Sequence, residues 1–310
     1  MWRESAARKR WKALQQGIRA GINEVSRVWQ ERHIQYEVAA FMNFRNAARY
    51  LPEWIEFHQI VGVEHFFLYD NNSTDDCQAA LEPYIRKGIV TLTRWPSEPA
   101  FPTSNVHCVE NYGHLARWIA FLDDDEFLFP TQGGSLGDTL KQYAAYPAVA
   151  VHWVMFGSNG HKERPEGLVI SNYTRNEGCV NRHIKSVVNP RRIKGMATPP
   201  SPHHWIYKED FFKNQTRAIN ERRQEIAATL TRVEPCADVL RINHYWSKSY
   251  EDGAAKLARG WQDALSNART SRSMDHWINT DASLNREVDT VILRYEAALE
   301  ARLAHHPANA

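Results

Sequence analysis

Three short apolar runs, at residues 38–42, 63–69 and 89–93, alternate with two segments of helical character. This alternation constrains the fold more than any other feature of the chain. The runs have the length of buried strands. Pro52 opens the first helix at its first turn, where a missing N–H costs nothing, and Gly62 stops it. The second helix, over 75–86, follows a polar turn and ends before Gly88. Strand–helix–strand–helix–strand at this spacing predicts an α/β domain with a mostly parallel sheet flanked by helices. Further along, the pattern predicts a helix over 105–116, a strand over 118–122, a helix over 136–143 and a strand over 148–156. Mixed strands and loops over 168–246 include a late strand at 239–243, and two helices close the chain, at 250–268 and 283–304.

The acids fall at informative places. Asp70 ends one predicted strand, and Asp123-Asp124-Asp125-Glu126 ends another. In an open parallel sheet the carboxyl ends of the strands share an edge, and ligands bind there. Four consecutive carboxylates after an apolar run repel one another unless a cation or a basic partner offsets them. An all-oxygen donor set suits Mg²⁺ or Mn²⁺ better than Zn²⁺.

Residues 1–34 carry a different pattern. Apolar residues recur at helical spacing from Trp11 to Trp29, and eight Arg or Lys oppose three Glu, a net +5. Such a basic amphipathic helix either packs on the domain behind it or contacts a membrane surface peripherally. The rest of the chain is close to neutral, so that the whole carries only +2, which is not the footprint of a nucleic-acid binder. Four scattered cysteines with no C-x-x-C pair fit a reducing compartment rather than a zinc site or a disulfide scaffold. With no run of apolar residues long enough to span a bilayer, the expectation is a cytoplasmic protein, in peripheral contact with the inner membrane if residues 1–34 bind it.

At this point an ordered set of motifs becomes visible. Arg45-Asn46 is followed by Arg49-Tyr50-Leu51-Pro52-Glu53-Trp54, then by Gly62-Val63-Glu64-His65-Phe66 and Tyr69-Asp70-Asn71-Asn72-Ser73-Thr74-Asp75. Next come Ala116-Arg117-Trp118 through Asp123-Asp124-Asp125-Glu126-Phe127-Leu128, Trp153 with Phe156-Gly157-Ser158, and Lys185-Ser186-Val187-Val188. Asn243-His244-Tyr245 with Lys248-Ser249 completes the set. Together these resemble glycosyltransferase family 92 and related bacterial family 2-like glycosyltransferases, over about residues 36–262. The resemblance implies a GT-A fold, a nucleotide-sugar donor, UDP-linked by preference, a divalent metal, and inversion at the sugar carbon. It implies a glycan or lipid-linked acceptor, as in polysaccharide biosynthesis. One departure is Ala47, where the family pattern has an acid.

Cleaving a nucleotide-sugar develops negative charge on the leaving diphosphate, which a metal offsets as a Lewis acid. On that logic Asp125 is the expected direct metal ligand, Asp123 holds ribose or a metal-bound water, and His244 is a candidate third ligand. Arg45, Asn46, Asp70 and Asn72 are expected on the nucleotide, and Lys185 and Lys248 beside its diphosphate. His203-His204 is a second candidate metal or acceptor site. Transfer with inversion needs a general base, for which Glu163 and Glu126 are the candidates. Trp95, Trp153, Trp205 and Trp246 are candidate stacking surfaces for the acceptor sugar. The rival readings are a metal-dependent nucleotidyl- or phosphotransferase, disfavoured by the missing phosphate loop, a two-carboxylate glycosidase, and a non-catalytic carbohydrate-binding protein. The expected domain limits are a basic segment at 1–34, a catalytic domain at 35–270 and a C-terminal helical segment at 271–310.

Overall fold

The apolar runs become the centre of a sheet. In the computed structural model, residues 33–97, 100–201, 203–208, 217–227, 231–259 and 273–305 are described. The chain divides into two compact units, 1–35 and 36–310, and every element below belongs to the second. The basic segment expected at 1–34 lies outside the described residues except for its last two. No helix among the described residues is long and apolar enough to cross a membrane.

The first half follows the predicted alternation. β1 (Tyr36–Phe44) leads to α1 (Leu51–Ile60), β2 (His65–Asp70), α2 (Cys77–Arg86) and β3 (Val90–Arg94). α3 (Thr103–Tyr112) then crosses to β4 (Ala116–Phe121). β1 lies between β2 and β4, all parallel, and β3 extends β2 in the same sense. The core of β1 is buried, as the continuous apolar run requires of a strand covered on both faces.

The second half adds strands of mixed direction. β5 (Glu126–Pro130), α4 (Leu136–Lys141) and β6 (Ala148–Met155) come first, then α5 (Val169–Asn172), β7 (Arg175–Asn176) and β8 (Ile184–Val188). β8 runs antiparallel between β4 and β6 and joins the two halves of the sheet. β9 (Ile193–Ser201) and β10 (His204–Tyr207) pair with each other, and the short β11 (Ala218–Ile219) and β12 (Glu225–Ile226) extend the sheet beyond β6. β13 (Leu240–His244) lies antiparallel to β5 and parallel to β6.

Two sequence expectations change here. Glu126 opens β5 instead of closing an acidic turn, because its backbone pairs with His244 of β13. In the closing region the described residues form α6 (Tyr250–Arg259), α7 (Met274–Leu284), β14 (Glu287–Val288) and α8 (Glu296–Ala304), and the last part of the helix expected over 250–268, residues 260–268, lies outside the described residues. The helix expected over 283–304 is interrupted because Asn285 Nδ2 donates to the Asp281 carbonyl and β14 pairs with β7. Residues 273–305 belong to the same compact unit as the sheet.

Two elements position the site. Trp54 and His58 are one helical turn apart on α1, so both face the sheet. Trp54 Nε1 donates to the Glu126 carbonyl at 2.9 Å, and the Leu128 N–H donates to His58 Nε2 at 3.2 Å. An accepting Nε2 puts the proton on Nδ1, which donates to the Trp54 carbonyl at 2.8 Å. Burial pushes His58 down to about 3, so the ring stays neutral. α1 thereby clamps the start of β5, next to the acid cluster.

The other element is α6, which packs on α7 through a glycine. A Cβ on Gly253 would lie 2.5 Å from Nε1 of the Trp277 ring. A rigid indole cannot yield as a flexible side chain can. Gly253→Ala is therefore expected to destabilise the fold by about 1–3 kcal/mol despite alanine's better helix propensity, as measured by urea unfolding.

Candidate active site

Parallel strands deliver their ends to one edge. Phe44 is in register with Asp70, and Phe41 with Phe121, so the loops after β1, β2 and β4 emerge together. The segment after β13 joins them. They enclose a cleft of about 320 Å³, with Asn46, Thr74 and Asp75 on one side. Asp124 and Asp125 lie along it, Trp246 to Lys248 and the α6 residues Asp252 and Lys256 form another wall, and Arg49, Tyr50 and Arg164 complete the rim.

Asp125 is only 4% exposed and both of its oxygens are engaged. Oδ1 lies 3.3 Å from His244 Nε2, and Oδ2 accepts from Lys256 Nζ at 2.7 Å. Its backbone carbonyl accepts from the Tyr245 N–H at 2.8 Å, which locks the loop to the end of β13. Burial alone would raise the carboxyl. Lys256, His244 and Lys248 overcome it and hold Asp125 well below the usual carboxylate range. The His244 ring is braced edge-on by Trp153 at 4.4 Å, and its Nδ1 has no hydrogen-bond partner among the described residues.

Next to Asp125 stands a second charge cluster, buried at Lys185 and Glu126 and open to solvent at Asp123. Lys185, on β8, is 3% exposed and donates to Asp123 Oδ2 at 2.8 Å, with Glu126 Oε2 at 3.4 Å. Glu126 Oε2 also accepts from the Asp123 N–H at 2.9 Å. Burial pushes Glu126 well above its ordinary range, although Lys185 opposes the shift. The same two carboxylates raise Lys185 against its own burial. Asp123 and Lys185 are thus paired with each other, and Glu126 organises the turn from below.

The wall after β13 is strained and cationic. Lys248 has φ +47°, a left-handed conformation that a lysine rarely adopts, and its ammonium sits 3.7 Å from the centroid of the Tyr50 ring. The adjacent Ser247 hydroxyl is buried and has no partner among the described residues. Tyr50 Oη donates to Asp252 Oδ1 at 2.7 Å, and Arg164 Nε donates to the same oxygen at 2.7 Å. Burial first, then Asp252, raises the Tyr50 phenol, so it remains a donor. Ser249 and Asp252 cap α6 reciprocally, with Ser249 Oγ donating to Asp252 Oδ2 at 2.7 Å and accepting from the Asp252 N–H at 3.1 Å.

On the opposite wall, Asn46 takes the left-handed conformation that asparagine tolerates. Its Oδ1 accepts from the Thr74 N–H at 2.7 Å, and its own N–H donates to Ser73 Oγ at 2.9 Å. Asp75 Oδ2 accepts from the Ala48 N–H at 2.8 Å, so an acid from the second motif stands beside the position of the missing one at Ala47. Asp70 does not line the cleft. Its Oδ1 accepts from the Ser73 N–H at 2.9 Å and shapes the turn. Asn72 donates to the Pro96 carbonyl at 3.2 Å, and Arg45 precedes Asn46 without lining the cleft.

The remaining candidates are dispersed. Glu163 is exposed on the loop after β6, next in the chain to Arg164. His203 is half-buried, its Nδ1 2.7 Å from the Ile184 carbonyl, and desolvation holds it well below its ordinary value. Trp205 is core and Trp95 packs on Tyr69 and His107, whereas Trp246 lines the cleft. Tyr50 and Asp75 belong to the motif set but carried no expected role, and Arg164, Asp252 and Lys256 were not among the candidates. A signal for α6 was present, since Ser249-x-x-Asp252 is a helix-start pattern that places Lys256 one turn further on the same face.

The residues fit a hard divalent cation in part. Among the described residues no group of three His, Cys, Asp or Glu side chains gathers around one point. The Asp125 and His244 pair nevertheless offers a carboxylate oxygen and an imidazole nitrogen 3.3 Å apart. Neighbouring ligands of a six-coordinate ion lie about 3 Å apart, and Mg²⁺-like ions characteristically take one or two protein donors plus substrate phosphates.

Glu53 supports the site from behind. It is buried on α1, where Oε2 and Oε1 accept from the Val169 and Ile170 N–H groups at 2.8 and 3.2 Å. Burial lifts it to about 7, against the pull of those amides and Lys248. A folded value above the unfolded one means the folded chain holds the proton more tightly. This contribution is fully present below about 4.5 and is lost as pH rises through about 7, at most roughly 3 kcal/mol. Melting temperatures of wild type and Glu53→Gln across pH 5–8.5 check it: the wild type is expected to lose stability upward, and the variant to lack this component of the slope.

A sequence profile of glycosyltransferase family 92 matches residues 39–288. A family 92 protein of Ricinus communis is 32% identical over 231 residues, 72% of this chain and 38% of that protein. One of Oryza sativa subsp. japonica is 34% identical over 175 residues, 53% of this chain and 29% of that protein. The chain therefore spans about a third of the length of these relatives. Among solved structures, S. aureus TarS 1–349 in complex with UDP is similar with a TM-score of 0.32 and 12% identity, covering 50% of this chain and 47% of that one. On the match over residues 39–288, and on the Ricinus relative, this chain belongs to glycosyltransferase family 92.

Proposed function

We propose that the cleft binds a nucleoside diphosphate sugar, with UDP as the nucleotide, and that the protein transfers the sugar with inversion to a glycan or lipid-linked acceptor. Membership in family 92 supports the reaction class. The observation that carries the reading is buried Asp125, set between His244 and Lys256 with Lys248 nearby, at the carboxyl edge of parallel strands.

Asn46, Thr74 and Asp75 are suited to the nucleoside, offering amide, hydroxyl and carboxylate groups on one wall. Lys248 and the Ser247 hydroxyl, which has no partner among the described residues, are suited to the diphosphate, a cation and a donor side by side. Asp125 and His244 would hold Mn²⁺ or Mg²⁺, which would supply Lewis-acid neutralisation of the leaving diphosphate. The Tyr50 ring holds the Lys248 ammonium in the cleft before substrate arrives, so little reorganisation remains for the transition state. Asp123 and Lys185 fix the loop from which Asp125 projects. Glu126, sealed below them, is a positioning residue. Glu163, adjacent to the cleft-lining Arg164, is the candidate base for the acceptor hydroxyl.

A panel of UDP-, GDP- and ADP-sugars tests this reading, with nucleoside diphosphate release measured in Mn²⁺, Mg²⁺ or chelator. Release from a UDP-sugar, dependent on divalent cation, is expected. Release untouched by chelator would remove the metal from the reading, and no release from any donor, with acceptor glycans present, would overturn it.

A further inference from the structure

We propose that Lys256 is a resident counter-cation for Asp125, displaced by an incoming divalent metal and delivered by that displacement to the diphosphate of the nucleotide. The inference rests on the reading of the cleft given above and adds a coupling between its two ligands.

Both oxygens of Asp125 are taken, one by His244 and one by the Lys256 ammonium at 2.7 Å. A divalent ion and an ammonium cannot share that carboxylate at such a distance without strong repulsion. One partner of the carboxylate gives way, and the surroundings decide which. His244 is 5% exposed and braced by Trp153. Lys256 has a side chain 22% exposed, on a flexible four-carbon stem.

Its helix, in contrast, is fixed. Asp252, one turn earlier on the same face, is held by Tyr50, Arg164 and Ser249. Movement therefore falls to the Lys256 side chain and not to α6. Lys256 lines the same cleft as Lys248, so a displaced ammonium stays within it. Lys185 shows the contrasting design. It is shared by two carboxylates and sealed, so it has neither a reason nor room to move.

The consequence is linkage. A metal that frees Lys256 raises affinity for the diphosphate, and the diphosphate raises affinity for the metal by the same factor. Calorimetry on the full chain tests both halves, with Mn²⁺ alone and then UDP in saturating Mn²⁺, using Asp125→Asn as the blank for other Mn²⁺ sites. Lys256→Met is expected to bind Mn²⁺ at least ~5-fold more tightly than wild type, and UDP in Mn²⁺ ~10-fold more weakly. A merely structural lysine would not tighten metal binding when removed. Melting in chelator verifies that the variant is folded, and Lys256→Gln, a polar neutral replacement, must move both affinities in the same directions.

Equal Mn²⁺ affinity in wild type and Lys256→Met would overturn the displacement, and equal UDP affinity would overturn the delivery. Either result leaves the donor-binding reading standing as long as both proteins bind UDP. Absence of any Asp125-dependent Mn²⁺ binding would remove the metal from that reading and this proposal with it.

Discussion

Replacing Asp125 by asparagine is expected to lower sugar transfer by about 10²–10³-fold while the chain still folds. Asparagine keeps the shape of the side chain, and the backbone bond from the Tyr245 N–H to the residue 125 carbonyl is untouched. What disappears is the negative charge that Lys256, His244 and Lys248 surround. Lys256 can turn to water, so the stability change should stay within about 1–2 kcal/mol. Saturating-donor kinetics and Mn²⁺ binding measured on the same preparation check the two halves. Asp123→Asn provides the contrast. Asp123 is 55% exposed and already paired with Lys185, so its replacement should cost less activity. A variant at Asp125 with more than half of wild-type turnover would sink the assignment.

Lys185→Met is expected to show the opposite profile, a loss of stability of about 3–5 kcal/mol, because it leaves the buried Glu126 carboxylate without its cation. The loss should grow with pH. Burial already raises Glu126, and Lys185 is the main force holding it down. Without Lys185 the Glu126 carboxyl rises further and folds as the neutral acid. A group raised in this way contributes stability at low pH and loses it as pH climbs through the folded value. Urea unfolding at pH 5.5 and 8 should therefore show the larger deficit at pH 8. An equal deficit at both would mean that methionine costs packing and not charge.

These two residues also mark how far the sequence can be read. The parallel trio β1, β2 and β3 was legible because each run is buried on both faces and each intervening helix carries its own start and stop signals. His244 was legible as a candidate beside the acids, and it stands 3.3 Å from Asp125. The acidic run itself misled in one respect. It reads as four similar carboxylates, yet Asp123 is exposed, Asp125 and Glu126 are buried, and Asp124 lies between these extremes. That division depends on partners elsewhere. Glu126 becomes a strand residue only because β13 pairs with it, and the cations are 62 and 131 residues downstream, at Lys185 and Lys256. Periodicity reports which face a side chain occupies, but not which distant charge meets it there. The long closing helix failed for the same reason, since β14 is defined by its pairing with β7 and by no local propensity.

The separation of 131 residues between Asp125 and Lys256 has a meaning on the ribosome. At elongation rates of about 5–20 residues per second, the aspartate is made roughly 7–26 s before its lysine. For most of that interval, until the β13 histidine His244 is made, a nascent chain carries four adjacent carboxylates with neither that histidine nor Lys256. The parallel strands can assemble during this time and Lys185 can pair with Asp123, but Asp125 still lacks the side chains that hold it. Translation thus orders the events, scaffold first and cleft last, and a chain released early would own the sheet without the chemistry.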